Sequence, residues 1–269
     1  MTGSAVRYLA FVGVGFQSVL RYRASFFVSV ATTATTTAVV VFLWRAVYQH
    51  PSHTAPGGFT LPTITTYLLV AQLLIRLHDN RVDSEFANDI MTGNIAVALA
   101  RPARYPLMRF CLAVPVIVAD LLLVALPVLA LFAWLFPLRW PGAADLALFA
   151  VAAACSVVLA FAVNLITGMH AIVTTNTWGV TLLKTTVVGL FSGGLVPTDA
   201  MPAPLAHAAA LLPFRSMIDT PVRLFLGRYD TAADALRLLA HQALWTAGTV
   251  LLCALLWRRL VVRIGVLRG

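Results

Sequence analysis

The chain has 269 residues, of which 60% are hydrophobic and 11% charged, with a formal net charge of +9 and a mean hydropathy of +0.89. So little polar surface cannot coat a soluble globule, and the composition places the chain in a bilayer. The basic excess is spread along the sequence rather than gathered on one face, which argues against a nucleic-acid partner and leaves the charge as a signal of membrane topology.

The first 25 residues carry Val6, Leu9, Phe16 and Leu20 at helical spacing, with Arg7, Gln17 and Arg21 elsewhere on the wheel. This pattern predicts an interfacial amphipathic helix over 1–25 at the cytoplasmic headgroups, or a plain extension of the first span. No cleavable leader is expected, because Gly13, Gly15, Gln17 and the Arg21 to Arg23 cluster interrupt the first apolar run without a small-residue cleavage pattern.

A hydrocarbon core of roughly 30 Å asks for about 20 apolar residues per helix. Six such runs are expected as spans: Phe26 to Trp44, Pro62 to Leu77, Met108 to Phe136, Leu146 to Ile166, Ile172 to Val196, and Leu236 to Trp257. They are continuously apolar, without the alternation of barrel strands, so the fold class is all-α and polytopic. Pro115, Pro127, Gly179 and Gly189 are ordinary membrane-helix breakers; the Gly193-Gly194 pair reads as a turn at a pore end. Cys111, Cys155 and Cys253 fall within spans and read as packing residues rather than a disulfide framework.

Twelve arginines flank one side of these spans, at the amino terminus, between the second and third spans and in the tail, against six on the other side. Both termini are therefore expected to be cytoplasmic in a plasma or inner cell membrane. No phosphate-binding glycine loop, HExxH or GxSxG sequence occurs, and Lys184-Thr185 follows an apolar helix rather than a glycine-rich turn. His50 and His53 lie in a loop without Cys, Asp or Glu and read as solvated, so no metal and no cofactor are expected on this chain. The chain is not expected to be an enzyme.

Between the second and third spans the sequence reads RLHDNRVDSEFANDIMTGNIAVALARPARYP. Val82, Phe86 and Ile90 recur every fourth residue, so a short helix with one apolar stripe is expected, with Asp79, Asp83, Glu85 and Asp89 on other faces. Gly93 ends it, Asn94 caps a second turn through Leu99, and Arg101-Pro102 forces an extended exit before the third span. An apolar stripe on a cytoplasmic loop lies on the membrane or docks into another protein. Four acids beside anionic headgroups favour the protein.

Two stretches resemble a known family, the six-span membrane subunits of type-2 ATP-binding-cassette (ABC) transporters. DIMTGNIAVALARP (Asp89 to Pro102) is similar to that family's Asp-Ile, variable pair, Gly and short apolar stretch ending in Leu-x-Arg-Pro. FSGGLVPTDAMPAPLAHAAALLPFRSMIDTPVRLFLG (Phe191 to Gly227) is similar to its Gly-rich end of the fifth span, Met-Pro, Leu-Pro-Phe and a Pro-containing helix ending in Leu-Gly. The resemblance implies one transmembrane domain over 1–269, with residues 79–106 as a coupling segment seated in a separate ABC ATPase. It implies coupling roles for Asp83, Glu85, Phe86, Asp89, Ile90 and Gly93, with Arg101, Pro102 and Arg104 shaping the return to the membrane. It implies re-entrant extracellular helices over 197–234 forming an outer gate with Gly193, Gly194, Pro197, Pro213 and Phe214.

The partners so implied are ATPase subunits carrying ATP and Mg, a second permease chain (an identical copy or a relative) and the lipid bilayer. The expected activity is alternating-access export of an amphipathic drug, antibiotic or lipid. A secondary transporter or a non-transporting assembly protein is the alternative. Asp120 and Lys184 are ionisable residues inside the third and fifth spans. Each lies on the order of 17 Å from the cytoplasmic end of its helix at 1.5 Å per residue. They are expected to pair with each other within a subunit or across a dimer, to line the path, or to snorkel to an interface.

Overall fold

A computed structural model describes residues 11–13, 23–49, 56–100, 104–170 and 177–266, and among these the chain is helical without a strand. Helix α1 (Arg23–Gln49) is followed by α2 (Leu61–His78), the short pair α3 (Val82–Met91) and α4 (Ile95–Ala100), then α5 (Tyr105–Asp120) and α6 (Leu126–Leu135). Next come α7 (Ala143–Met169), α8 (Thr177–Phe191), two short helices α9 (Ala203–Ala210) and α10 (Asp219–Phe225), and the long α11 (Ala232–Val266). A π turn over Leu121–Ala125 joins α5 to α6, so the two form one continuous apolar run from Tyr105 to Leu135.

Five helical runs are long and apolar enough to cross a bilayer: those containing α1, α2, α5–α6, α7 and α11. The observed helices overrun the expected spans by a few residues at most ends. The fifth expected span differs. α8 stops at Phe191, before the expected end at Val196, and its described part begins at Thr177, because residues 171–176 lie outside the described residues. Its helical hydrogen bonding ends with Ser192 N donating to Val188 O, after which Gly193 turns the chain at φ +86°. Among the described residues five helices are of membrane-crossing length, and the described part of the expected fifth span is the 15-residue α8.

α2 sits at the centre. Thr60 caps it by accepting from Thr63 N, and Pro62 occupies its first turn, where no amide partner is needed. Its side chains from Thr63 to Leu74 are buried all round, as befits a helix that touches protein on every side. Thr65 and Thr66 hide their hydroxyls by donating to the carbonyls of Leu61 and Pro62. α7 is the second pillar, packed against α11, α10, α3 and α2. Gln242 of α11 fastens three elements by donating to Ala152 O and Ser216 O. The outward faces of α1 and α11 carry exposed Phe27, Val39, Phe42, Leu43, Leu244 and Leu251, a belt of apolar surface that suits lipid rather than water.

Most of the expected interfacial helix, residues 1–10 and 14–22, lies outside the described residues, as do His50, His53, Arg101 and Pro102. The two expected helices of the 197–234 stretch are α9, bracketed by Met201-Pro202 and Leu212-Pro213, and α10. They pack against α7, α2 and α8 rather than standing apart.

Candidate functional site

The elbow between α2 and α5 follows the expected local structure. Between α2 and α3 Arg81 stands in the left-handed region at φ +52° and Asn80 Oδ1 accepts from Val82 N. α3 then runs to Met91, Gly93 ends it at φ +73°, and α4 begins at Ile95. A Cβ at Gly93 would meet nothing within 4 Å, so glycine is required there by backbone conformation rather than by space. Arg104 precedes α5 in extended backbone.

The apolar stripe of α3 faces inward, which corrects the expectation that Phe86 docks into a partner. Phe86 is 0% exposed, edge-on to the rings of Tyr105 and Trp257 at 5.5 and 6.0 Å, while those two stack at 5.2 Å. Ile90 is half-buried against the same cluster. The physical reason is that Tyr105 of α5 and Trp257 of α11 form an aromatic seat that no local pattern in the elbow reveals. The surface left outward comprises Ser84, Asn88, Thr92, Gly93 and Asn94, with Met91 63% and Val97 61% exposed as its apolar rim.

Four helices grip α3. On the α7 side, a Cβ on Gly168 would lie 2.9 Å from Asp83 O and 3.0 Å from Asp83 Cα, so the two backbones touch where only glycine fits. On the α8 side, Lys184 Nζ donates to Asp83 Oδ2 at 2.8 Å and to Asn164 Oδ1 of α7 at 2.9 Å. Asn164 Nδ2 in turn donates to His78 O and Asn80 Oδ1, tying the α2 end into the same network. On the α5 side, Arg109 pairs with Glu85 at 2.9 Å and with Asp89, and Tyr105 Oη donates to Asp89 Oδ2 at 2.7 Å. On the α11 side, Trp257 supplies the ring contact.

Asp120 and Lys184 therefore do not pair with each other. Asp120 bonds Arg76 in the last turn of α2 at 3.0 Å, and Arg76 also donates to Ser29 of α1. Lys184 belongs to Asp83. Lys184 sits beside α3, whereas Asp120 sits beside the last turn of α2. Each carboxylate and cation is still paired, as desolvated charges require.

At the other end, the glycine turn after α8 is tightly built. Gly193 O accepts from Tyr67 Oη at 3.1 Å and Gly194 O from Gln72 Nε2 at 3.1 Å, both from mid-α2. Trp44 Nε1 donates to Leu195 O and Asp219 N to Ser192 O. A Cβ on Gly193 would stand 2.7 Å from Tyr67 Oη, and one on Gly194 2.8 Å from Ile75 Cδ1. Pro197 is buried near the turn, whereas Pro213 and Phe214 are half-buried farther along.

Sequence reasoning missed the keystone of this end, Asp219. Its side chain is 1% exposed and accepts from Tyr67 Oη (2.8 Å), Thr198 Oγ1 (2.8 Å), Arg215 Nε (3.0 Å) and Arg223 Nε (2.7 Å). Burial alone would raise its pKa, but Arg223 and Arg215, with the two hydroxyls, hold it below the ordinary aspartate value. The signal was present in the spacing: Arg215, Asp219 and Arg223 are successive i, i+4 neighbours, a charge ladder of one helical face.

An all-helical chain with five apolar helices of membrane-crossing length and a lipid-suited belt is a multi-pass membrane protein. It belongs to the ABC-2 family: the family model described as ABC-2 family transporter protein matches residues 34–264, which take in the elbow, the glycine turn and the Asp219 cluster. That family's members are transporter permeases, membrane components that work with ABC ATPase subunits rather than enzymes themselves. No curated protein matches the chain.

Proposed function

We propose that the chain is the membrane-spanning subunit of an ATP-driven exporter in the cell membrane, with both termini and the elbow in the cytoplasm. ATP and Mg bind to a separate ABC ATPase, and α3–α4 is the lever that the ATPase moves. The observation that carries this reading is the convergence of α5, α7, α8 and α11 on α3, a ten-residue helix whose exposed Met91 forms an apolar outer rim together with Val97 of α4. A merely solvated loop needs neither the clamps nor the rim. Asp83, Phe86 and Asp89 then act from inside, and Glu85 from the exposed edge, by locking the lever to the bundle, and Gly93 shapes its tip.

In this reading α8 supplies the sixth crossing, covered on its outer side by the folded-in segment α9–α10, and the Gly193–Gly194 turn, Pro197, Pro213 and Phe214 belong to the outer closure. A second permease chain completes the path, which opens by alternating access as the levers move. Amphipathic drugs, antibiotics or lipids are the candidate cargo. The ion-coupled alternative draws less support, because Asp120, the carboxylate it would use, is held by Arg76.

The test is capture of the solubilised chain from its native membranes. An ABC ATPase should copurify with the native chain, and the pair Met91→Asp with Val97→Asp should reduce that capture at least tenfold while the variant still inserts and runs as a monodisperse species. Capture unchanged by both aspartates would remove the lever assignment.

A further inference from the structure

We propose that Lys184 is the positioning residue through which α8 follows α3, so that a displacement of the lever reaches the Gly193–Gly194 turn. The proposal rests on the transporter reading above and adds the route of transmission within one chain.

α8 is held principally at two places. Near its middle it meets α3 and α7, and at its far end it meets α9 and the turn at Pro213–Met217. Elsewhere its flanks carry exposed Leu182, Leu183 and Leu190. Phe191, the last residue of the helix, lies only seven positions beyond Lys184, about 10 Å of stiff rod. Beyond Phe191, Ser192 O, Gly193 O, Gly194 O and Leu195 O are each bonded to a residue of another segment, namely Asp219, Tyr67, Gln72 and Trp44. Any shift of α8 along its axis must therefore reorganise those bonds.

The near end is built to draw α8 along without letting go. Lys184 straddles two helices, with Asp83 on α3 and Asn164 on α7. A flexible stem with a three-donor head keeps both acceptors through the 1–2 Å shifts typical of helix interfaces, roughly the scale at which a rigid side chain would lose one. The joint that would turn is already under load: Arg81 holds a left-handed backbone, and the buried amide Asn80 Nδ2 finds no acceptor among the described residues. A second position of α3 can relieve either cost.

The experiment uses the full chain with its copurifying ATPase in membranes. Cys111, Cys155 and Cys253 are replaced by Ala, and Leu195→Cys, at a half-exposed position in the turn, is reacted with a membrane-impermeant maleimide. The labelling rate of the thiol introduced at that position should differ severalfold between nucleotide-free and ATP-plus-vanadate states. Lys184→Met should abolish that difference while the ATPase still copurifies and hydrolyses ATP, and Lys184→Arg should restore most of it. Full nucleotide dependence in Lys184→Met would overturn the proposal, as would an equal loss in Lys184→Arg. Should Lys184→Met fail to accumulate, the exchange Asp83→Lys with Lys184→Asp replaces it, and loss of the response there counts against the route. A label that ignores nucleotide in a chain with bound, active ATPase sinks this inference alone; absence of any copurifying ATPase sinks the transporter reading beneath it.

Discussion

Asp219 carries the sharpest residue-scale consequence. Its carboxyl holds a proton more weakly in the folded protein than in the unfolded chain, whose aspartates titrate near about 3.9. The stabilisation it gives is therefore complete above that unfolded value and drains away as pH falls through the folded one. Arg223 shifts in the matching sense: burial would lower its pKa, but Asp219 and Asp199 more than offset this, so it stays charged throughout. The thermal midpoint of the detergent-solubilised chain should fall as pH drops from about 5 towards about 2.5. Asp219→Asn should cost roughly 3 kcal/mol or more at neutral pH, because it strands two partly buried guanidiniums, and should flatten the acid limb. An acid limb as steep in Asp219→Asn as in the native chain would place the acid sensitivity elsewhere.

At the scale of elements, α3 is less a free lever than a clasped one, and the clasp can be measured. A double-mutant cycle on Asp83→Asn and Lys184→Met should give a coupling of about 1–3 kcal/mol in unfolding, since the partners are in contact and shielded. The parallel cycle on Asp120→Asn and Lys184→Met should be additive within about 0.5 kcal/mol, because those residues belong to different pairs. The elements themselves were legible in the sequence: apolar runs near twenty residues announced α1, α2, α5–α6, α7 and α11, and the four-residue period with Gly93 announced α3 and its end. What the sequence withheld were the partners. Periodicity reports that Val82, Phe86 and Ile90 share a face but not whether that face looks in or out, which depends on Tyr105 and Trp257, both distant along the chain. Helix rise counted from an assumed cytoplasmic end put Lys184 at the depth of Asp120, but depth along a helix does not name a neighbour, and the two found partners on different elements, Asp83 on α3 and Arg76 on α2. Asp219 escapes a sequence reading because three of its four donors, Tyr67, Thr198 and Arg215, lie on other elements.

For the whole molecule, the two polar centres lie at opposite ends of one bundle, with the Gly168–Asp83 contact and the Lys184 clamp at one end and the Asp219 cluster at the other. The arginine distribution then argues for which end faces the cytoplasm. With the native cysteines removed, Met91→Cys should react with an impermeant maleimide only in inside-out vesicles. Leu211→Cys, on the opposite loop and 77% exposed, should react only in intact cells. Labelling in the reverse pattern would turn the protein over and remove the elbow from reach of any cytosolic ATPase.

The sequence contains a single lysine, and that side chain is only 18% exposed, wedged between a carboxylate and a carboxamide. Reagents that acylate primary amines, usually too indiscriminate to report on one place in a protein, thus have one ε-amino target here, and it is neutralised by its neighbours while the wedge is closed. The rate at which Lys184 is acylated becomes a count of how often the wedge opens, readable by mass spectrometry without introducing a single substitution.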